Sequence, residues 1–333
     1  MLRPFNARVV GAGEHRSGWP FCMAALDPLF DPDSPVMLDD FVERTFLYDW
    51  RRNVDATHRR PWVGIMHHPP DMPEWYLDNI RLQHLLRDDR WARCSKHLKL
   101  IIVLGNNLVP WLNEFVPGVP VAVIKHPTGK PAFYWSPEAF LVQKWRPVIQ
   151  VGWFLRNMVA IHQAKLDDQF RKIHLMPPNE WAPRMTHLCR ETYRRMHPER
   201  RDHGVTETMP SQDNIQFDAL LAESVVLVEV ISAVANNTVV ECIMRNTPIC
   251  VNRHPGPLYY LGPDYPLFYD RFEDIGDLLT VDNILAAHEY LKRMDKWWTL
   301  GSMFCEQVRA ACQQHVPECK ATVTLPSQIL CDI

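Results

Sequence analysis

VVLVEVISAVANNTVVECIMRNTPICVN, residues 225–252, decides the fold. It opens on an apolar run, Val225 to Ile231, interrupted only by Glu229, whose length and β-branching predict a strand buried on both faces, as in a parallel sheet. Asn236 or Asn237 is placed to cap a helix in which Val239, Val240, Ile243 and Met244 recur at helical spacing along one face. Asn246 suits the left-handed position that closes the helix, Pro248 forbids its continuation, and Ile249 to Val251 predict a second buried strand. The stretch is a strand, helix, strand crossover.

The opposite face of this helix carries Asn237, Thr238, Glu241 and Arg245, related by steps of three and four. In a doubly wound sheet the ligand crevice lies beyond the carboxyl ends of the strands, where helix amino termini offer N–H groups to phosphates. By itself the stripe is equally a capped surface helix whose carboxylate favours its own dipole.

The segment ANNTVVECIMRNTPICVN at 235–252, followed by YYLGPDYPLFY at 259–269, resembles the carboxyl-terminal donor domain of GT-B glycosyltransferases. The likeness is to members found in bacterial surface-polysaccharide loci and in large DNA viruses. It implies an α/β chain of two Rossmann-like domains whose parallel sheets face an interdomain cleft. It implies a transferase of polysaccharide biosynthesis that moves a hexosyl or pentosyl unit from a nucleotide diphosphate sugar to a hydroxyl of a glycan or other acceptor, without a resident cofactor. Glu241 would hold the donor ribose, and Thr247-Pro248 would lead into the next strand. Retaining members with two glutamates eight residues apart carry one where this chain has Ala233, so the stereochemistry stays open.

The chain of 333 residues is long enough for two domains with full cores, and 47% apolar with 23% charged residues is ordinary for a globular protein. A net charge of −3 gives no electrostatic case for nucleic acid or an anionic membrane as partner. Nine cysteines without a CxxC pair argue against a disulfide framework or a zinc ribbon, and for a reducing compartment. No apolar run approaches the roughly 20 residues that span a bilayer, and the first residues lack a signal-peptide pattern, so a cytoplasmic protein without a transmembrane segment is expected.

In the first half, Ala7 to Val10 predicts a strand feeding a loop at Gly11 and Gly13, which lacks the third glycine of a dinucleotide fingerprint. The GT-B resemblance implies that this loop reaches the cleft with Gly13, His15 and Arg16; a surface turn is the alternative. Trp62 to Met66 predicts a strand ending in His67 and His68. Neighbours in an extended segment point to opposite faces, so one histidine, taken as His67, faces the cleft. Leu98 to Leu104 and Val119 to Ile124 predict further strands, the latter ending in the polar segment KHPTGKP.

Pro147 to Val151 predicts the first strand of the second half, and the resemblance implies that Arg156, beyond Gly152, approaches the donor diphosphate. The same resemblance implies that the donor base packs near Met209 and Pro210. These readings divide the chain into a first domain at 1–145, a donor domain at 146–300 and a terminal helix and tail at 301–333 that cross back to the first domain. The implied chemistry is electrostatic and metal-independent: Arg156 and helix-terminal N–H groups around Asn236, Asn237 and Thr238 stabilise the leaving diphosphate. If the reaction inverts, His15 or His67 is the candidate base. Asp31-Pro32-Asp33 has the spacing of a metal-binding DxD motif, but it follows a helix among prolines and predicts a turn. A nucleotide-sugar epimerase, or an inactive GT-B scaffold serving as a glycan-binding or assembly subunit, shares the same fold expectation.

Overall fold

The computed structural model describes residues 1–5, 17–48, 58–177 and 181–319. Gly13, His15 and Arg16, with the strand expected at Ala7 to Val10, lie outside the described residues. Strands β1 (Arg3–Pro4), β2 (Met37–Asp39), β3 (Trp62–Met66), β4 (Leu98–Val103) and β5 (Val121–Val123) pair in parallel, in chain order. Every residue of β3 is buried, which accounts for a run without polar alternation. Helix α1 (Trp19–Leu26) joins this core through Trp19, Cys22, Met23 and Leu26.

The second sheet holds β6 (Arg146–Gln150), β7 (Phe170–Leu175), β8 (Thr206–Met209), β9 (Val225–Val228), β10 (Ile249–Asn252) and β11 (Phe268–Tyr269). Its order is β11-β10-β9-β6-β7-β8, with all neighbours parallel. The connections diverge in opposite directions from β6 and β9, so a topological switch point lies between them, and the crevice of a doubly wound sheet opens there. Two parallel sheets with intervening helices make the chain α/β, as expected.

The helices of this half include α2 (Trp181–Met196), α3 (Asn214–Ala222), α4 (Asn237–Arg245) and α5 (Pro255–Leu261). β9 stops at Val228, three residues before the apolar run ends. Val230 turns away to bridge Arg156, and its backbone N–H and carbonyl bond instead to the Asn252 side-chain amide at 2.7 and 2.9 Å. The crossover otherwise follows its reading: Asn236 caps α4, Asn246 closes it at φ 60, and β10 resumes at Ile249.

Toward the carboxyl end the chain forms two helices, α6 (Val281–Arg293) and α7 (Gly301–His315), with a turn between them. Phe304, Val308 and Cys312 of α7 enter the core of the first sheet beside Trp19, Cys22 and Leu26. Cys305 and Cys312 share its buried face, and the helix ends before Pro317. Among the described residues no helix is long and apolar enough to cross a membrane.

Candidate active site

A cavity of about 820 Å³ opens where the carboxyl ends of the two sheets face each other. Its second-domain wall begins in the loop after β6. Gly152 stands at φ 77, and a Cβ there would lie 1.8 Å from Nη1 of Arg156, so only glycine lets the guanidinium fold back over the loop. Leu155 follows at φ 52, an unusual conformation for a branched residue. It is held by Ile231 N–H to its carbonyl at 2.8 Å, and by its own N–H to the Tyr76 hydroxyl of the first domain at 2.7 Å.

Arg156 is 8% exposed. Its Nη2 donates to Asn236 Oδ1 at 2.8 Å and to Thr238 Oγ1 at 3.0 Å, while Nε is buried without a partner. Burial pushes its pKa down to about 10, against the pull of Tyr76 and Glu241, so it stays cationic at neutral pH. Asn236 Oδ1 also accepts from the N–H groups of Thr238 at 3.0 Å and Val239 at 3.4 Å. Arg156, Thr238 and Val239 thus converge on one oxygen, the arrangement that a phosphate oxygen would use. Two of the helix-terminal N–H groups expected to meet a diphosphate are therefore engaged by the cap itself.

Glu241 lines the same wall but is 1% exposed, and its Oε1 accepts the Ser17 hydroxyl from the segment leading into α1. Asn237 and Thr238 also line the cavity. Arg245, the fourth member of the polar stripe, points elsewhere: its Nε donates to Asp218 of α3 at 2.9 Å in a buried ion pair. Met209 does not line the cavity, because its side chain packs on the second-sheet core. Ser211, Gln212 and Asn214, just beyond it, take that place beside Met176 and Trp181.

The first-domain wall holds both His67 and His68. The expectation that only one faces the cleft fails because β3 ends at Met66, and strand alternation does not extend into the loop beyond it. Glu43 Oε1 accepts the backbone N–H of each at 2.8 Å. Nε2 of His67 meets the Asp40 carbonyl at 2.9 Å and so carries a proton, which makes Nδ1 its accepting atom. Nδ1 of His68 likewise donates to the Ile80 carbonyl at 2.9 Å, and its Nε2 receives the Tyr48 hydroxyl at 2.8 Å. Burial pushes His67 down to about 3 and His68 to about 4, so both are neutral. Burial raises Glu43 to about 7.

His126, at the end of the segment after β5, completes this wall. Its Nδ1 donates to the Pro127 carbonyl at 2.7 Å. The sequence places His126 at a strand end, and that signal is sound. Tyr48 has no comparable local signal.

The walls are tied together at the back of the cavity. Asn107 Nδ2 donates to the Ala233 carbonyl at 2.8 Å, and the Tyr260 hydroxyl donates to the Leu104 carbonyl at 2.5 Å. Lys125 Nζ lies 4.9, 5.4 and 4.9 Å from the ring centroids of Tyr259, Tyr260 and Trp298. Asp31 and Asp33 stand outside the cavity lining, and Asp31 Oδ1 accepts the Asp33 N–H at 2.9 Å in the expected turn. Among the described residues no three metal-ligating side chains cluster.

No protein-family model and no curated relative matches the sequence. Solved structures match the fold. A trehalose-6-phosphate synthase from E. coli bound with UDP-2-fluoro glucose superposes with a TM-score of 0.56 at 11% identity, over 89% of this chain and 77% of that one. Sucrose-phosphate synthase from Thermosynechococcus elongatus gives 0.54 at 14% identity, over 87% and 72%. HepE from Anabaena in complex with UDP and glucose gives 0.50 at 12%, over 90% and 79%. The chain has the GT-B fold, two parallel sheets facing one cleft.

Proposed function

We propose that the protein is a glycosyltransferase that moves a hexosyl or pentosyl unit from a nucleotide diphosphate sugar to a hydroxyl of a glycan or other acceptor. The observation that carries this reading is the buried Arg156 guanidinium, folded over Gly152 at the sheet's switch point and aimed with the first turn of α4 at one oxygen position. A diphosphate oxygen displaces the Asn236 amide oxygen from those donors. As the bond from the anomeric carbon to the diphosphate breaks, Arg156 takes up the charge that develops there. Glu241 holds the ribose, and Gly13 of the first-domain loop approaches the donor.

The acceptor oxygen bonds to the anomeric carbon as the diphosphate leaves. If the reaction inverts, His67 through Nδ1, or His15, takes the acceptor proton. A cation built into the protein makes a divalent metal unnecessary for the diphosphate. UDP and sugars bound to solved structures of the same fold support the donor class. The eight described cysteines are free and buried, which supports a reducing, cytoplasmic setting. A screen of the purified chain against nucleotide sugars, following donor hydrolysis and thermal shift together, tests the reading. At least one donor is expected to raise the melting temperature and to be hydrolysed, whereas isomerised donor, or binding without turnover when acceptors are supplied, contradicts it.

A further inference from the structure

We infer that Tyr76 is a positioning residue for the donor diphosphate: its hydroxyl, brought over from the first-sheet half, holds the turn at Leu155 from which Arg156 reaches the cleft. The inference rests on the glycosyl-transfer reading and extends it from the residue that meets phosphate to the one that sets it in place. Tyr76 lies in the segment after β3 and is fully buried. Its hydroxyl accepts the Leu155 N–H at 2.7 Å and donates to the Trp153 carbonyl at 3.0 Å, so both bonds close on the loop that carries Arg156. The Arg156 backbone N–H reaches the same Trp153 carbonyl at 3.3 Å. Tyr76, with Met72 and Ile80 on either side in sequence, belongs to a separate apolar core shared with Leu155, Met158 and Met185 of the second half.

The backbone of this loop needs such a brace. Leu155 stands at φ 52, where Cβ crowds the backbone, and Ile231 holds only its carbonyl side. The amide side is held by Tyr76. Leu155 is buried, so loss of the hydroxyl leaves its N–H without water or partner and removes the bond that favours the left-handed turn. Arg156 is the next residue, and a backbone rotation at Leu155 carries its guanidinium away from Asn236 and Thr238. Burial raises the Tyr76 phenol, so it keeps the proton it donates to Trp153. The segment around Tyr76 also begins and ends at the cleft: Asp71 accepts the Ser232 hydroxyl, and the Ile80 carbonyl accepts His68 Nδ1–H at 2.9 Å. Tyr76 thus ties the Arg156 loop to the segment that orients His68.

The test is calorimetry of UDP, GDP, ADP and CDP, with thermal melting alongside, on the full chain as wild type, Tyr76→Phe, Arg156→Lys and the double variant. Phenylalanine keeps the ring in its core and removes only the hydroxyl. For the nucleotide that the wild type binds most tightly, Tyr76→Phe is expected to weaken affinity about tenfold, and to add less than about twofold to the loss in Arg156→Lys. Met185→Ala, which loosens the same core without touching the hydroxyl, is expected to lower the melting temperature and leave affinity within about twofold of wild type. Unchanged affinity in Tyr76→Phe overturns the inference and leaves the donor reading standing. So does a loss that recurs in full beside Arg156→Lys, because Tyr76 then acts elsewhere than through the arginine. An affinity loss in Met185→Ala that matches Tyr76→Phe reduces Tyr76 to packing and overturns the inference too. A wild type that binds none of the four nucleotides overturns the donor reading, and with it the role of Tyr76.

Discussion

The two walls of the cavity solve different problems. The second-domain wall gathers charge at one point. Its Arg156 guanidinium is fixed by Gly152 beneath it and by Asn236 and Thr238 in front, from the loop after β6 and the start of α4. The first-domain wall suppresses charge: His67 and His68 lie among aromatic rings, their backbone is pinned by the buried Glu43, and burial keeps both neutral. The contrast teaches that an active site divides its work by dielectric environment as well as by residue type. A dry wall keeps its own titratable groups neutral, and a buried cation nearby is worth more than it would be in water.

The sharpest way to break this contrast is Gly152→Ala. The added Cβ overlaps the Arg156 guanidinium, and φ 77 is strained for any side chain. Displacing the buried cation is expected to weaken nucleoside diphosphate binding by about 2–5 kcal/mol, with about 1–2 kcal/mol lost from folding. Calorimetry and thermal melting separate the two, and unchanged affinity would mean that the folded-back guanidinium is incidental.

Next in size is Glu241→Ala, which should weaken the nucleotide by about 1.5–3 kcal/mol through the lost ribose bond. An unchanged affinity in a folded variant would reduce Glu241 to the partner of Ser17 seen here.

The neutral wall makes its own prediction, in pH. Burial lowers His67 to about 3 and His68 to about 4 in the folded protein, below the ordinary histidine value of 6.5, so the unfolded chain binds more protons between those limits. Their contribution to stability is present above pH 6.5 and is lost as pH falls. Glu43 opposes them: raised from 4.5 to about 7, it makes the folded state bind the extra proton, and its contribution declines as pH rises through that window. Two groups outweigh one, so these three groups together are expected to lower stability by on the order of 1–2 kcal/mol from pH 7 to pH 5, beside the fall that the buried His174 adds. Glu43→Gln should enlarge the fall. Urea midpoints at the two pH values decide it, and a flat profile would mean that the histidines are solvated.

The wall around Arg156 was legible because its information is local. A strand, a glycine and an arginine lie within seven residues, Gln150 to Arg156, and capping, periodicity and a left-handed asparagine outline the crossover at 225–252. Met209 itself packs on the second-sheet core, because a strand-end side chain can turn inward while the following residues, Ser211, Gln212 and Asn214, line the cavity. The aromatic wall was poorly legible. Trp19, the pair Phe41 and Tyr48, and Phe154 come from three separate segments that meet only through long-range packing. β1 and β2, of two and three residues, are too short to carry a period. His68 was set aside by an alternation rule that applies only within a strand.

The central claim is that a buried arginine fork, working without a metal, receives the donor diphosphate. Its most direct test is calorimetry of UDP, GDP, ADP and CDP against the wild-type chain and Arg156→Lys, in the presence of EDTA. Lysine keeps the charge but lacks the planar fork that reaches Asn236 and Thr238 together. The account predicts that one nucleotide binds the wild type despite the chelator, and binds Arg156→Lys about 30-fold or more weakly, a loss of about 2 kcal/mol or more. Equal affinity for the two proteins, or wild-type binding that EDTA abolishes and magnesium restores, would contradict it.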